Sequence, residues 1–222
     1  MGDRAAKDAM FNAFAEVAKA LGNGRRAELA DVLAQGERHV EELASEIDQS
    51  VANTSFHLRT LAQAGLVTTR RDGTRIYYRL ASPRVGDLWS ALRDVAAAHH
   101  VRLDDIVQDY LGDRGGLEEI DRHALAALID AGDVVVIDVR PTAEFAAGHI
   151  AGARSMPIEE LAARVGDLPV GVDVVAYCRG PYCVFADDAV RLLRQRGRPA
   201  SRLVDGFPEW RRANLPVESA AP

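Results

Sequence analysis

Apolar residues recur at three- and four-residue intervals through the first half of the chain, which is the pattern of amphipathic helices. This pattern predicts helices over residues 11–21, 25–33, 40–47, 51–64 and 83–110, with Ser50 as the N-cap of the fourth and Pro83 at the start of the fifth. Two β-prone runs, residues 66–71 and 74–80, lie between the last two helices and are joined by Asp72-Gly73, a dipeptide that suits a tight hairpin. The first half is therefore expected to be mainly helical with one β-wing.

The second half alternates between apolar, strand-like runs and helical stretches. Strands are predicted at residues 134–137, 172–177 and 202–204, and helices at residues 144–147, 158–165 and 184–196. Such alternation favours an α/β domain with a parallel sheet. Gly112-Asp113-Arg114-Gly115-Gly116 is short, polar and glycine-rich, so a flexible boundary is expected there. The predicted organisation is a first domain over 1–111, a linker over 112–117 and a second domain over 118–222.

Composition limits the classes of protein to which the chain can belong. Its 222 residues are 48% hydrophobic and 27% charged, close to globular averages, so two small domains with real cores are expected. No apolar run approaches the roughly 20 residues needed to cross a bilayer. The charged N-terminus also lacks the apolar core of a signal peptide. We therefore expect a cytoplasmic protein with no membrane partner.

Positive charge is concentrated around the predicted wing. The whole chain has a net charge of −6, which by itself does not indicate a nucleic-acid partner. Residues 56–84, however, contain six arginines and a single acidic residue, Asp72. Such a patch is either a solvated basic face or a surface that binds phosphates. Two helices joined by a turn and followed by an arginine-bearing hairpin have the shape of a winged helix-turn-helix, which favours phosphate binding.

Several motifs of this half occur in the order found in one family of DNA-binding proteins. They are Leu43-Ala44 before Ser50, the run Thr54-Ser55-Phe56-His57-Leu58-Arg59-Thr60-Leu61, then Ala64-Gly65-Leu66-Val67, Arg70-Arg71-Asp72-Gly73 and Tyr77-Tyr78-Arg79-Leu80. Over about residues 8–111 they resemble the ArsR-type bacterial transcriptional repressors. The resemblance implies a homodimer, built on the first and last helices of this domain, that binds a palindromic operator in double-stranded DNA.

The resemblance makes the fourth helix the recognition helix. Asn53, Thr54 and His57 on its first turns are expected to be exposed and to reach base edges, with His57 alternatively a surface histidine that packs locally. Ser50 and Arg59 are better placed for phosphates. The wing arginines are expected to follow the DNA backbone; they are Arg70, Arg71, Arg75 and Arg79.

The positions that hold metals in some relatives are not matched in this chain. The segment that carries paired cysteines in metal-sensing members is Glu37-Arg38-His39-Val40-Glu41-Glu42-Leu43, which has no thiol. His99, His100 and Asp104 do not fit the ligand spacing of zinc-sensing relatives and are interpreted as solvated residues near the dimer helix. No metal and no cofactor is therefore expected, and the signal is expected to enter through the second domain.

The second half carries the ordered motifs of a different family. They are Ile137-Asp138-Val139-Arg140, Glu144-Phe145, Gly148-His149-Ile150-Ala151-Gly152-Ala153, Val174-Val175-Ala176-Tyr177-Cys178-Arg179-Gly180 and Val204-Asp205-Gly206-Phe207, with Trp210 and Leu215-Pro216-Val217 following. Over about residues 117–218 they resemble a rhodanese-like domain. The resemblance places Cys178 at the end of a central strand, where a loop and a helix N-terminus surround its sulfur. Asp138 and Arg140 are expected to make structural contacts rather than take part in chemistry.

Backbone N–H groups and a helix N-terminus favour an anion, so Cys178 is predicted to be a nucleophile that carries sulfur as a persulfide. The loop continues through Arg179, Gly180, Pro181, Tyr182, Cys183 and Val184. Arg179 is expected either to attract an anionic sulfur donor or to be solvated. Cys183 stands where many sulfurtransferases of this kind have a basic or hydroxylic residue. A second thiol there can attack a persulfide and leave a disulfide, but the sequence does not decide whether Cys183 reaches Cys178.

Three functions fit these observations. In the first, the chain is a regulator, expected to be a repressor, whose second domain senses sulfane sulfur or oxidation at Cys178 and so changes operator affinity. In the second, it is a sulfurtransferase that takes sulfur from a small sulfur-containing donor and uses the winged helix for localisation or dimerisation. In the third, the second domain is an interaction module with incidental cysteines.

The first of these is the predicted function, since Cys183 makes the site resemble a switch more than a carrier. Phosphatase activity is not expected, because the related phosphatases need a longer loop with a phosphate-binding arginine, and the residue after Cys183 is Val184.

Overall fold

The computed structural model describes residues 3–219 and divides into two units, the first ending at Ala98 and the second beginning at His99. The outer ends of the two predicted domains, residues 1–2 and 220–222, lie outside the described residues. Within residues 3–219, no helix has both the length and the apolar character that crossing a membrane requires.

The first unit is a set of helices with a small antiparallel sheet. In chain order it comprises α1 (Arg4–Leu21), α2 (Gly24–Gln35), β1 (Arg38–His39), α3 (Val40–Glu46), α4 (Val51–Gln63), β2 (Val67–Asp72), β3 (Arg75–Leu80) and α5 (Pro83–His99). The Ser50 side chain accepts a hydrogen bond from the Asn53 N–H, which confirms the predicted cap of α4. The core is formed by residues such as Leu29, Leu43 and Leu58, which come from α2, α3 and α4.

The hairpin turn is one residue later than the sequence predicts. Asp72 is paired with Arg75 in the β2–β3 register, so the turn residues are Gly73 and Thr74 rather than Asp72-Gly73. Gly73 has a φ of 59°, the left-handed conformation that glycine adopts without a Cβ clash. The wing also gains a third strand, because β1 pairs with β3 and gives the order β1-β3-β2.

The single long helix predicted over residues 83–110 is wrong. The structure has two helices, α5 ending at His99 and α6 (Leu103–Leu111), which belongs to the second unit. Val101, the one apolar residue between them, is 97% exposed. A helical turn at this point would have no apolar side to bury, and most helical stability comes from such burial.

The second unit is built around a parallel sheet. After α6 it comprises β4 (Glu119–Ile120), α7 (Arg122–Ala131), β5 (Val134–Asp138), α8 (Thr142–Ala147), β6 (His149–Ile150), β7 (Arg154–Ser155), α9 (Ile158–Arg164), β8 (Asp173–Cys178), α10 (Phe185–Gln195), β9 (Ala200–Gly206), α11 (Phe207–Arg212) and β10 (Val217–Glu218). Five strands form a parallel sheet in the order β4-β9-β8-β5-β7, as the alternating pattern predicts, and β6 pairs antiparallel with β10.

Alternate residues of β8 enter two separate cores. Val174 and Ala176 pack with residues of α9 and α10, whereas Val175 and Tyr177 pack with residues of α7 and α11. This is the two-residue period of a strand buried on both faces. It leaves Cys178 at the carboxyl end of a central strand.

A buried polar network lies beside this strand end. The Tyr177 hydroxyl donates to Asp138 Oδ2 (2.5 Å), Arg140 Nη2 donates to the same oxygen (2.5 Å), and the Ile150 N–H donates to the Tyr177 oxygen (3.1 Å). Asp138 and Arg140 are both fully buried, and Arg140 also donates to the Gly148 carbonyl, so the structural contacts expected of this pair are confirmed. Burial, and next the Asp138 charge, raise the pKa of Tyr177 well above its usual value.

The Tyr177→Phe variant should show a weaker loss of stability at high pH than the wild type. In the folded protein the Tyr177 pKa is raised, so the stability that depends on its neutral phenol is complete below about pH 10 and decreases as the pH rises further. At pH 7 the variant should be less stable by about 1–2 kcal/mol, because the Ile150 N–H loses its acceptor. Urea unfolding between pH 7 and pH 11 measures both effects, and parallel pH curves for the two proteins would contradict the assignment.

Candidate functional site

The cysteine loop, defined as residues 178–184, joins the end of β8 to the start of α10. Arg179 through Val184 form no regular structure, and the Cys183 N–H closes a tight turn on the Gly180 carbonyl (3.2 Å). No side chain caps the N-terminus of α10, which follows the loop directly. The loop therefore sits at a helix end with positive potential, as the resemblance predicts.

The two cysteines are bonded to each other. The Cys178–Cys183 disulfide spans a Cα–Cα distance of 6.3 Å, within the range of about 4.4–6.8 Å that disulfides need. Cys178 is 2% exposed, and Cys183 is partly exposed. The loop geometry therefore allows Cys183 to reach Cys178, and the structure represents the oxidised form of the site.

Gly206 of β9 holds the loop backbone from one side. It is paired with Cys178 across the sheet, and a Cβ at this position would lie 2.2 Å from the Gly180 nitrogen. Its N–H also donates to Glu209 in α11. Only glycine allows β9 to approach the loop this closely.

The structure overturns one of the two roles predicted for Arg179. This guanidinium is not solvated, because its side chain is 12% exposed and Nε and Nη2 donate to Glu144 Oε1 at 2.9 and 2.5 Å. The attraction of an anionic sulfur donor stays a prediction. Glu144 is buried, and Arg179 also lies over the Phe185 ring. The positive charge of Arg179 is therefore balanced by a carboxylate, and its visible function is to hold the first residue after Cys178.

Arg114 contacts the loop from the segment that the glycine content predicts to be flexible. Its Nη1 donates to the Pro181 carbonyl (2.9 Å), its Nη2 lies 3.5 Å from the Cys183 carbonyl oxygen, and its Nε donates to Asp187 Oδ2 (2.6 Å). No motif marks Arg114, because its surroundings in sequence are glycines and Asp113. Within the structure, residues 112–117 are hydrogen-bonded and not a free tether.

On the recognition helix, the sequence prediction is wrong for Thr54. Thr54 is fully buried, and its hydroxyl donates to the Ser50 carbonyl, so it cannot reach a base edge. Asn53 is exposed, whereas His57 is only partly exposed, with a buried Nδ1 and its ring against Phe56. Phe56 is itself exposed. Phe56 lies three residues after Asn53, and this spacing was enough to predict from the sequence that the two side chains share the exposed face of α4.

The wing arginines divide into two kinds. Arg70, Arg71, Arg75 and Arg79 are all exposed on β2 and β3. Arg70 differs in its partners, because it donates to Glu37 (Nη2–Oε2 2.7 Å) and to Asp72 and lies over the Tyr77 ring. These two carboxylates raise the Arg70 pKa. These ion pairs anchor Arg70 to the wing, but its side chain is half exposed, and its contact with the DNA backbone stays a prediction.

The structure also locates the remaining residues proposed for contact with phosphates and the two histidines interpreted as solvated. Ser50 and Arg59 are exposed at the start and in the middle of α4. His99 and His100 are exposed at the end of α5. No group of three or more potential metal ligands occurs among residues 3–219.

Two family models match the chain. A model of the bacterial regulatory protein arsR family matches residues 23–69, and a model of the rhodanese-like domain matches residues 121–213. The HTH-type transcriptional regulator Rv0324 of Mycobacterium tuberculosis is 46% identical over 216 residues, which cover 97% of this chain and 95% of that protein. That similarity spans both units.

Further relatives match one half each. A sulfurtransferase of Allochromatium vinosum is 33% identical over 102 residues, which cover 46% of this chain and 94% of that protein. A solved structure from Mycobacterium bovis is described as the homodimeric winged helix-turn-helix DNA-binding domain of a possible ArsR-family transcriptional regulator. It is 43% identical, covers 45% of this chain and 90% of that chain, and has a TM-score of 0.42.

Gly206→Ala should destabilise the second unit by about 2–3 kcal/mol, because the new Cβ meets backbone atoms of Arg179 and Gly180 that cannot rotate away. The matched control is Gly166→Ala, where nothing lies within 4 Å of the added Cβ. Urea unfolding in a Trp89→Phe background measures the effect, with the buried Trp210 reporting on the second unit. Equal stability of the two alanine variants would contradict the close approach.

Proposed function

Because the chain belongs to the ArsR family of bacterial transcriptional regulators and carries a rhodanese-like domain, we propose that sulfur chemistry at Cys178 and Cys183 sets its affinity for operator DNA. The observation that carries the proposal is the bond between these two cysteines across a loop otherwise built like that of a sulfur carrier. A carrier needs one free nucleophilic sulfur, whereas a bonded pair has two stable states. Two states are what a switch requires.

The chemistry begins with a sulfur donor such as a polysulfide. The Cys178 thiolate attacks the terminal sulfur of the donor, an S–S bond breaks, and a shorter polysulfide anion leaves, so that Cys178 carries a persulfide. The Cys183 thiolate then attacks Cys178 Sγ, the bond to the outer sulfur breaks, and hydrosulfide leaves with the electron pair. The two thiols are oxidised to the disulfide while the sulfane sulfur is reduced to sulfide. A dithiol reductant restores the starting state by exchange.

The cellular setting favours a regulatory role for this bond. A protein that binds chromosomal DNA in a bacterium works in the cytoplasm, and we place this chain there. Disulfides in that compartment are usually transient and serve catalysis or redox sensing. A regulatory role therefore fits the Cys178–Cys183 bond better than a purely structural one.

The DNA-binding surface comprises the exposed side of α4 and the exposed wing arginines. Asn53 faces base edges together with Phe56, whose ring suits a thymine methyl group, and the exposed part of His57 lies beside them. The groups for phosphates are Ser50, Arg59, Arg71, Arg75 and Arg79. These charges are local, so the negative net charge of the chain does not oppose binding.

The apolar sides of α1 and α5 account for dimerisation. Both helices expose large hydrophobic residues at helical spacing, and such patches mark association surfaces. They are Met10, Phe11 and Phe14 on α1 and Leu88, Leu92 and Val95 on α5. A second copy of the chain is the occupant, and the resulting two-fold symmetry matches a palindromic operator.

Sulfur transfer as a catalytic activity is the second candidate function. It is favoured by the likeness of the second unit to a sulfurtransferase that matches this part of the chain. Arg179 argues against rapid use of anionic donors, because Glu144 already neutralises it. Turnover of thiosulfate with cyanide that is fast, and unchanged in Cys183→Ser, would favour the enzyme over the switch.

Arg71→Ala should lower the salt dependence of DNA binding more than Arg70→Ala. Each phosphate contact contributes about 0.9 to the slope of log K against log salt concentration. Both side chains are exposed, but Arg70 is paired with Glu37 and Asp72, so we expect a loss of about one unit for Arg71 and a smaller loss for Arg70. Fluorescence anisotropy with a mixed-sequence duplex measures the slopes, with Arg196→Ala in the second unit as control. Equal losses for Arg70 and Arg71 would contradict the anchor role.

Polysulfide treatment should change operator affinity about tenfold, which corresponds to about 1.4 kcal/mol. The operator is recovered by selection from a randomised duplex library, and binding is measured at fixed salt while mass spectrometry follows both cysteines. Cys178→Ser should bind DNA but show no response. Cys183→Ser should accumulate the persulfide without a disulfide. A response that persists in Cys178→Ser would overturn the proposal, and sulfur uptake with unchanged affinity would favour the enzyme.

A further inference from the structure

Arg114 connects the segment that follows α6 to the cysteine loop. It lies three residues beyond the end of α6 at Leu111, and the cysteine loop lies more than 60 residues further along the chain. Its guanidinium is nevertheless within hydrogen-bond reach of the loop carbonyls of Pro181 and Cys183. The Cys183 carbonyl belongs to the residue that forms the disulfide.

The position of Arg114 is fixed by charge. Asp187 is fully buried in the first turn of α10, and its Oδ2 accepts from Arg114 Nε at 2.6 Å. A guanidinium offers several N–H groups in a rigid plane, so pairing with Asp187 aims the other donors at the loop. A lysine at this position would keep the charge but not this planar set of contacts.

The backbone around Arg114 is fixed as well. Arg191 and Arg194 of α10 donate to the carbonyls of Asp113 (2.9 Å) and Gly116 (2.5 Å). The Asp113 side chain accepts from the Gly115 N–H, and the Leu117 N–H donates to the Arg114 carbonyl. The segment therefore has one defined conformation while these bonds persist.

We infer that Arg114 is a positioning residue that couples the bonding state of Cys178 and Cys183 to the conformation of residues 112–117. Opening the disulfide separates the two sulfurs and frees the loop to rearrange around Cys183, whose carbonyl faces Arg114. A shift of that peptide weakens the contacts of Arg114 with the loop carbonyls. Residues 112–117, which lead back to α6, then change conformation. The further step to operator affinity rests on the proposed function.

Coupling of this kind is reciprocal. If the oxidised loop holds Arg114 better than the reduced loop does, then removing the Arg114 contacts must favour the reduced state by the same factor. The equilibrium constant between disulfide and dithiol therefore reports on Arg114 without any measurement on DNA.

The test uses Arg114→Lys in the full chain, with Arg191→Lys as the matched control. Arg114 belongs to residues 112–117 and contacts the cysteine loop, whereas Arg191 contacts the same segment at the Asp113 carbonyl but does not contact the loop. The disulfide equilibrium is measured in a buffer of reduced and oxidised dithiothreitol, and amide hydrogen exchange of residues 108–118 is compared between the oxidised and reduced proteins.

The wild type should exchange these amides faster when reduced. Arg114→Lys should shift the disulfide equilibrium about fivefold or more towards the dithiol and abolish the exchange difference, while Arg191→Lys stays within about twofold of the wild type. Identical exchange of oxidised and reduced wild type would overturn the inference even if Arg114→Lys failed to fold. An Arg114→Lys equilibrium within about twofold of the wild type would also overturn it.

Operator affinity of the same proteins separates this inference from the proposed function. If the segment responds to oxidation through Arg114 but affinity does not change, the inference stands and the proposed function fails. If affinity responds in the wild type and equally in Arg114→Lys, with an unshifted disulfide equilibrium, the proposed function stands and Arg114 is not the coupling residue.

Discussion

The buried carboxylate of Asp187 is the constraint on which the arrangement of the second unit depends. A carboxylate removed from water is stable only when cations and hydrogen bonds compensate it. Arg114 lies 2.6 Å from Oδ2, and the buried Arg202 lies 2.9 Å from Oδ1 as an ion pair. Arg202 in turn reaches Glu119 at 2.7 Å. The ion pairs around the Asp187 carboxylate thus connect the segment after α6, the start of α10 and the strands β9 and β4. These ion pairs lie beside the cysteine loop.

The loop is held at three points by interactions of different kinds. Gly206 brings the backbone of β9 against Arg179 and Gly180, where only the absence of a Cβ allows the contact. The Arg179–Glu144 pair fixes the first residue after Cys178. Arg114 holds the far end of the loop through neutral carbonyl oxygens. Of these three contacts, only that of Arg114 reaches a backbone atom of Cys183, so a change in the bonding of the Cys183 sulfur is expected to alter this contact most directly.

Patterns within a few residues of the sequence predicted most helices and strands, but they did not predict the contacts between residues far apart in the chain. Apolar spacing and caps located α4 and the parallel strands, because both depend on neighbours within a few residues. Thr54 fits the exposed-face pattern, yet its hydroxyl and methyl are buried, which depends on how α4 packs. The sequence gives no sign that Arg70 is paired, because its partner Glu37 is 33 residues away along the chain and lies beside it only in the folded wing. Glycines suggested a loose linker at 112–117, but the arginines that bind it are on α10, which no local pattern relates to it.

The free energies of these contacts indicate which of them a change in the disulfide is able to break. Breaking a buried ion pair such as Arg114–Asp187 by removing one partner costs about 3–5 kcal/mol, so this pair is expected to persist in both redox states. A hydrogen bond from a guanidinium to a neutral carbonyl contributes about 1.5–3 kcal/mol. A tenfold change in affinity needs only about 1.4 kcal/mol. The 2.9 Å bond to Pro181 falls in this range and the 3.5 Å contact with Cys183 is weaker, so both are able to change with the disulfide while Asp187 keeps Arg114 in place to form them again.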